Sequence, residues 1–189
     1  MDGGGDLARR DRELAEGFAA AAGEAGVGRI VYLGGLHPEG ADLSEHLASR
    51  VEVGQILLDG PVPAAVLQAA VVLGNGSVSF DMLRYLTERL PVMVAPRWLR
   101  NRIQPIAVDD VLDYLMAAPE IPDAAREVQI GCPDVVSYGD MLDRMADALE
   151  HRHRPKIPVP VLSPWLSSHW IGLVTPVDAG VAKPLIEGL

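Results

Sequence analysis

Apolar residues recur along the chain in two rhythms, and the alternation between them predicts the fold. Leu7, Leu14, Phe18, Ala21, Ala22 and Ala25 follow Asp6 at roughly helical spacing, and Gly26 and Gly28 close the segment. Asp6 is placed to cap this helix, with Arg9–Glu13 and Arg12–Glu16 as i,i+4 pairs on its polar side. Residues 29–33, Arg-Ile-Val-Tyr-Leu, then run apolar almost without alternation up to Gly34-Gly35, as a strand buried on both faces does. A loop with Pro38 and Gly40 leads to a second helix, from about Asp42 to Leu58. Its expected buried stripe is Leu43, Leu47, Val51 and Leu58, and Asp59-Gly60-Pro61 stops it.

Residues 64–73 read as a second buried strand, turned by Gly74-Asn75-Gly76. Ser77 or Ser79 caps a third helix carrying Phe80, Leu83, Leu86 and Leu90. Val92-Met93-Val94 is a short strand and residues 103–108 another extended run. Asp109 or Asp110 then caps a helix with Val111, Leu112, Leu115 and Met116. Val128-Gln129-Ile130 is a core strand ending in Gly131. Ser137 with Asp140 resembles a capping box and opens a helix bearing Met141, Leu142, Met145 and Leu149. From Ile157 the pattern stops, with Pro158, Pro160, Pro164 and Pro176 among Trp165 and Trp170, and no internal repeat is found. Helix, buried strand and glycine-rich turn in alternation predict an α/β fold with a mostly parallel sheet and flanking helices. Ligands of such sheets bind beyond the carboxyl ends of the strands. Those ends are Gly34-Gly35, residues 69–74 and Gly131.

Composition narrows the function classes. Of 189 residues, 49% are hydrophobic and 22% charged, which is ordinary for a globular chain of about one domain. The formal charge of −10 disfavours nucleic acid as a general partner. Cys132 is the single cysteine, so no internal disulfide or multi-cysteine zinc site forms. It follows a strand-end glycine and reads as a small buried hydrophobe before it reads as a nucleophile. Of 16 basic residues only Lys156 and Lys183 are lysines. No apolar run is long enough to span a membrane, and Met1-Asp2-Gly3-Gly4-Gly5-Asp6 has no signal-peptide character, so a cytoplasmic location is expected.

Four segments in order carry a resemblance: Arg-Ile-Val-Tyr-Leu-Gly-Gly-Leu at 29–36, His-Leu-Ala-Ser-Arg at 46–50, Val-Leu-Gln-Ala-Ala-Val-Val-Leu-Gly at 66–74, and Ile-Gln-Pro-Ile-Ala-Val-Asp-Asp-Val at 103–111. From about residue 6 to 150 the chain resembles the second half of an atypical short-chain dehydrogenase/reductase, closest to the NmrA-like branch. That resemblance implies a partial Rossmann-like, doubly wound sheet over residues 1–150. It also implies an NAD or NADP cofactor, an unknown small-molecule partner and NAD(P)H-dependent oxidoreductase activity. Residues 151–189 resemble a linker toward a further C-terminal domain.

The family opens with a strand and a Gly-x-x-Gly-x-x-Gly turn that seats the cofactor pyrophosphate on a helix N-terminus. No segment here follows that pattern, and the first helix matches the family's fourth. The expectation is an incomplete sheet whose bare edge is hidden by self-association or by a rearranged first helix. The family's Ser and Tyr-x-x-x-Lys positions also differ. The serine position reads Gly34 or Gly35, the tyrosine position His46 and the lysine position Arg50. On this resemblance His46 is the acid, Arg50 the ribose contact, and Gly34, Gly35, Ala69, Ala70 and Val71 border the nicotinamide. Gln68 and Gln104 are candidate substrate contacts.

Each of these residues also has a structural reading. His46 and Arg50 would equally form an exposed helix face, and Gly34-Gly35 an ordinary strand-ending turn. Ala69, Ala70 and Val71 would be plain core strand, Gln104 a strand-edge residue, and Asp110 a cap. His151-Arg152-His153-Arg154 reads as a solvated helix end, since i,i+2 histidines lack the spacing of a helical zinc pair. His37 and His169 have no acidic or cysteine neighbours that would make a site, and no metal site is expected. Loss of the family's Ser, Tyr and Lys leaves open a non-catalytic nucleotide sensor or regulatory module, and an inactive fragment.

Overall fold

The computed structural model describes residues 3–37, 43–95, 97–120 and 126–158. Pro38, Gly40, Asp42 and the tail with Pro160, Pro164, Trp165, His169, Trp170, Pro176 and Lys183 lie outside the described residues. Along the chain the elements are α1 (Gly3–Glu24), β1 (Ile30–Gly35), α2 (Glu45–Leu58), β2 (Ala64–Ala69), β3 (Val71–Leu73), α3 (Val78–Arg89) and β4 (Met93–Ala95). They continue as β5 (Arg102–Ile103), β6 (Pro105–Ala107), α4 (Val108–Ala117), β7 (Arg126–Ile130), β8 (Val136–Ser137), α5 (Tyr138–Ala148) and β9 (Lys156–Pro158). This is an α/β fold with parallel strands and flanking helices. Among the described residues no helix is long and apolar enough to cross a membrane.

The chain divides into two compact units, Met1–Ala70 with Asp109–Gly131, and Val71–Val108 with Cys132–Leu189. The first is built on a parallel sheet in the order β1-β2-β7. All six residues of β2 are buried, because it is the central strand and is covered on both faces. Gly35, Ala69 and Ile130 stand level in the register, so the three carboxyl ends line up. Ala19 and Ala22 of α1 pack with Ile30, Leu57, Val62 and Ala64 to form its core.

Of the stripe expected on α1, Ala22 is buried and the large residues are not, and α2 turns inward a different face from the one its periodicity predicts. On α1 the alanines Ala15, Ala19 and Ala22 are buried while Leu7, Leu14 and Phe18 are 52%, 62% and 57% exposed. Small side chains let α1 lie close against α2, which leaves the large ones outside. On α2 the buried positions are Ser49, Gly54 and Leu57. Ser49 donates to Asp11 across the helix pair at 2.8 Å, and a Cβ on Gly54 would come within 3.4 Å of Val66. Ser44 caps α2, accepting from the Leu47 amide. Arg9 pairs with Glu13 as expected, but Arg12 reaches across to Glu52 at 2.6 Å instead of back to Glu16.

The predicted strand 64–73 is two strands. Both neighbours of β2 stop level with Ala69, so nothing in that sheet can pair residues 71–73. Those residues form β3 and pair in parallel with β6. The extended run 103–108 divides likewise: β5 pairs antiparallel with β8, β6 follows Gln104, and Val108 already opens α4. Asp109 and Asp110 therefore lie in the first turn of α4, where they complement the helix dipole, and neither is its cap.

The second unit packs Met82, Leu83, Leu86, Met93, Leu99, Val136, Tyr138, Met141 and Leu142 together. Ser77 is the cap of α3, and Ser79 is buried. The capping box at Ser137 and Asp140 is present on α5. The basic run after α5 is solvated at His151, Arg152 and His153, as expected, and is anchored beyond that. His153 Nε2 lies 2.7 Å from Asp147 Oδ1, Arg154 Nε donates to the Thr87 carbonyl at 3.3 Å, and Lys156 Nζ bonds the Gly139 carbonyl and Asp143. These contacts strap the segment over α5 and α3 and deliver β9 to β4, with which it pairs in parallel.

Candidate functional site

The first unit gathers most of the sequence-derived candidates at one end of its sheet. Gly34 lies beside Gln68 and Gly35 beside Ala69 in the β1–β2 register. A narrow cleft on this sheet is lined by Gly34, Gly35, His37, Arg50, Gln68 and Glu127, closed by Val51, Gly54 and Val66, with a volume of about 10 Å³. Gln68 is 4% exposed within the strand core and borders the cleft. Arg50 is an exposed residue of α2, and its carbonyl accepts from Tyr32 Oη at 3.5 Å.

His46 is also exposed on α2 but does not line this cleft. The glycines have a packing reason as well. A Cβ at Gly35 would sit 2.7 Å from Leu47 Cδ1, and one at Gly34 3.2 Å from the Tyr32 ring. The first turn of α2 therefore closes over the end of β1, and a larger residue there would make the Leu47 side chain shift. Ala69 is buried in the sheet and Ala70 ends the first unit, whereas Val71 and Gln104 belong to the second. Gln104 Nε2 donates to the Cys132 carbonyl at 3.0 Å, which is a strand-edge role. Cys132 is half-buried, and its thiol donates to the Asp134 carbonyl.

In the sequence His37 is set aside for want of acidic neighbours and Glu127 is not singled out, yet both line the cleft. His37 Nδ1 lies 3.4 Å from the Gly35 carbonyl, and the ring borders the cleft beside Arg50. The available signal was position: His37 stands two residues past the carboxyl end of a buried parallel strand.

No protein-family model matches the chain, and no curated protein matches it. Solved structures do. The Bordetella bronchiseptica enzyme WbmG in complex with NAD matches with a TM-score of 0.69 and 18% identity, over 99% of this chain and 66% of that one. UDP-N-acetylglucosamine 4-epimerase from Bacillus cereus matches with a TM-score of 0.63 and 11% identity, over 95% and 71%. MoeE5 in complex with UDP-glucose and NAD matches at 0.60 and 17%, over 92% and 69%. The fold is Rossmann-like. The likeness is one of fold at these identities, and the chain spans just under two thirds of WbmG's length.

A nicotinamide ring is the group this Rossmann-like fold implies near these residues. Arg50 suits a phosphate in charge and hydrogen bonding, and His37 offers a hydrogen-bonding ring, while the Glu127 carboxylate in the same lining favours a ribose hydroxyl over a second phosphate. The cleft of about 10 Å³ holds roughly a single water and does not admit the ring. Among the described residues the lining of this cleft does not fit the ring, and no hydride step follows from it.

Proposed function

We propose that this chain is an NAD(P)-binding Rossmann-like module of the NmrA-like type that senses or carries the nucleotide rather than reducing a carbonyl with it. The observation that carries this reading is the failure of the reductase positions to converge. Gly34 and Gly35 present no side chain, Leu47 fills the space over Gly35, and His46 stands on an exposed helix position outside the cleft. Support for nucleotide binding comes from strand ends level at Gly35, Ala69 and Ile130, with Arg50 and His37 beside them, and from fold neighbours crystallised with NAD. In this reading Arg50 holds ribose or phosphate, and Ala69 and Ala70, at the end of β2 in the same unit, border the nucleotide.

Calorimetric titration with NAD, NADP and their reduced forms tests it, together with NAD(P)H oxidation assays on carbonyl and quinone substrates. Binding is expected without turnover. Arg50→Ala should weaken it about tenfold or more, the value of a hydrogen bond to a charged group, and His46→Ala should leave it unchanged. Turnover abolished by His46→Ala would establish instead the oxidoreductase reading, which the enzymes among the fold neighbours favour. No binding of any of the four nucleotides would leave the inactive fragment.

A further inference from the structure

Two opposite charges line the same narrow cleft without meeting. Residues level in the register, or two apart along a strand, share a face of the sheet. Tyr32, Gly34, Val66, Gln68 and Glu127 therefore stand together on the face that α2 covers. The α2 backbone comes close here: a Cβ on Gly54 would meet Val66 at 3.4 Å and Tyr32 at 3.8 Å. Glu127 thus lines the cleft from the sheet, and Arg50 lines it from α2. Among the described residues no ion pair takes up Arg50 or Glu127, and no hydrogen bond takes up the Gln68 amide, although that residue is only 4% exposed.

We propose that this cleft takes a single hydroxyl of a neutral sugar ring, the ribose of the nucleotide, and that Glu127 selects that hydroxyl over a phosphate. The inference rests on the nucleotide-binding reading above and decides which part of the nucleotide Arg50 holds. A guanidinium only donates hydrogen bonds and a carboxylate only accepts them. A group between the two must accept from Arg50 and donate to Glu127, and a hydroxyl does both. The Gln68 amide, with a donor and an acceptor, serves the same group on either side.

A phosphate fails on charge and on size. It would accept from Arg50 but meet the Glu127 carboxylate as a like charge, which costs free energy at any separation this short. The volume of about 10 Å³ has room for one water-sized oxygen, whereas a phosphate brings several. A ribose needs to send only a hydroxyl inward, with its ring left outside the cleft.

Calorimetric titration of the full chain with NAD tests it through the sign of one substitution. Glu127→Gln keeps the shape of the side chain and removes its charge. With a hydroxyl in the cleft, the variant loses a hydrogen bond to a charged group and should bind NAD about tenfold more weakly. With a phosphate there, the variant loses a repulsion and binds NAD more tightly. Glu127→Asp keeps the charge but withdraws it from the cleft, and it too should bind NAD more weakly. Glu127 is exposed, so both variants should unfold at the temperature of the parent. Unchanged or tighter NAD binding in either variant overturns the proposal and leaves the nucleotide-binding reading standing. A parent chain that binds no NAD overturns that reading, and this one with it.

Discussion

At the scale of single residues, close packing and local hydrogen bonds decide more than chemistry does. Gly35→Ala would drive a methyl group against Leu47 Cδ1, 2.7 Å from its ideal position. Leu47 is a flexible side chain and can shift, so a loss of about 1–3 kcal/mol is expected in urea unfolding. Glu150 holds a left-handed conformation, φ 56, just after α5, with the His151 amide closing on the Ala146 carbonyl. A glycine suits that position, and Glu150→Gly should raise stability by about 0.5–1 kcal/mol in thermal unfolding. The Asp140 carboxyl is held below the ordinary range by its bonds from the Ser137 hydroxyl and amide. A lowered carboxylate pKa contributes stability above the unfolded value near 4, which is lost as pH falls through the folded one. In Ser137→Ala, NMR titration of Asp140 should therefore show a higher pKa than in the parent.

At the scale of elements, the run from His153 to Lys156 is the clearest case of tertiary structure giving residues a task. A string of basic residues after a helix satisfies the helix dipole equally well whether it floats or binds. Here His153, Arg154 and Lys156 each find a partner on α5 or α3, and the chain is led into β9 beside β4, where the Met93 amide donates to the Pro155 carbonyl. Lys156→Ala removes both the Gly139 and the Asp143 bonds. Faster hydrogen exchange at Met93 is expected, while exchange at the β2 core is unchanged.

At the scale of the whole molecule, charge is unevenly shared. The first unit holds seventeen carboxylates against six arginines in its sequence segments, so an anionic ligand depends there on local cations such as Arg50. With a pI near 4.8, light scattering should rise steeply as pH is lowered toward that value, and fall on either side of it. By itself the sequence determined where the helices lie, that residues 64–69 are a buried strand, the capping box at Ser137 and the α/β class; it left Ser77 and Ser79 as alternative caps and read β1 and β7 as more buried than they are. Periodicity, glycine placement and capping are local and act before the chain is folded. It also marked Gly34, Gly35, Arg50 and Gln68, which share a cleft because strand ends are legible as turns. Only the tertiary structure decided that residues 64–73 break at Ala70, that α1 turns its alanines inward, that His37 rather than His46 borders the cleft, and that Leu47 closes over Gly35. Each of these depends on where a neighbouring strand stops or how near a neighbouring helix lies. No residue carries that information in its own type or spacing.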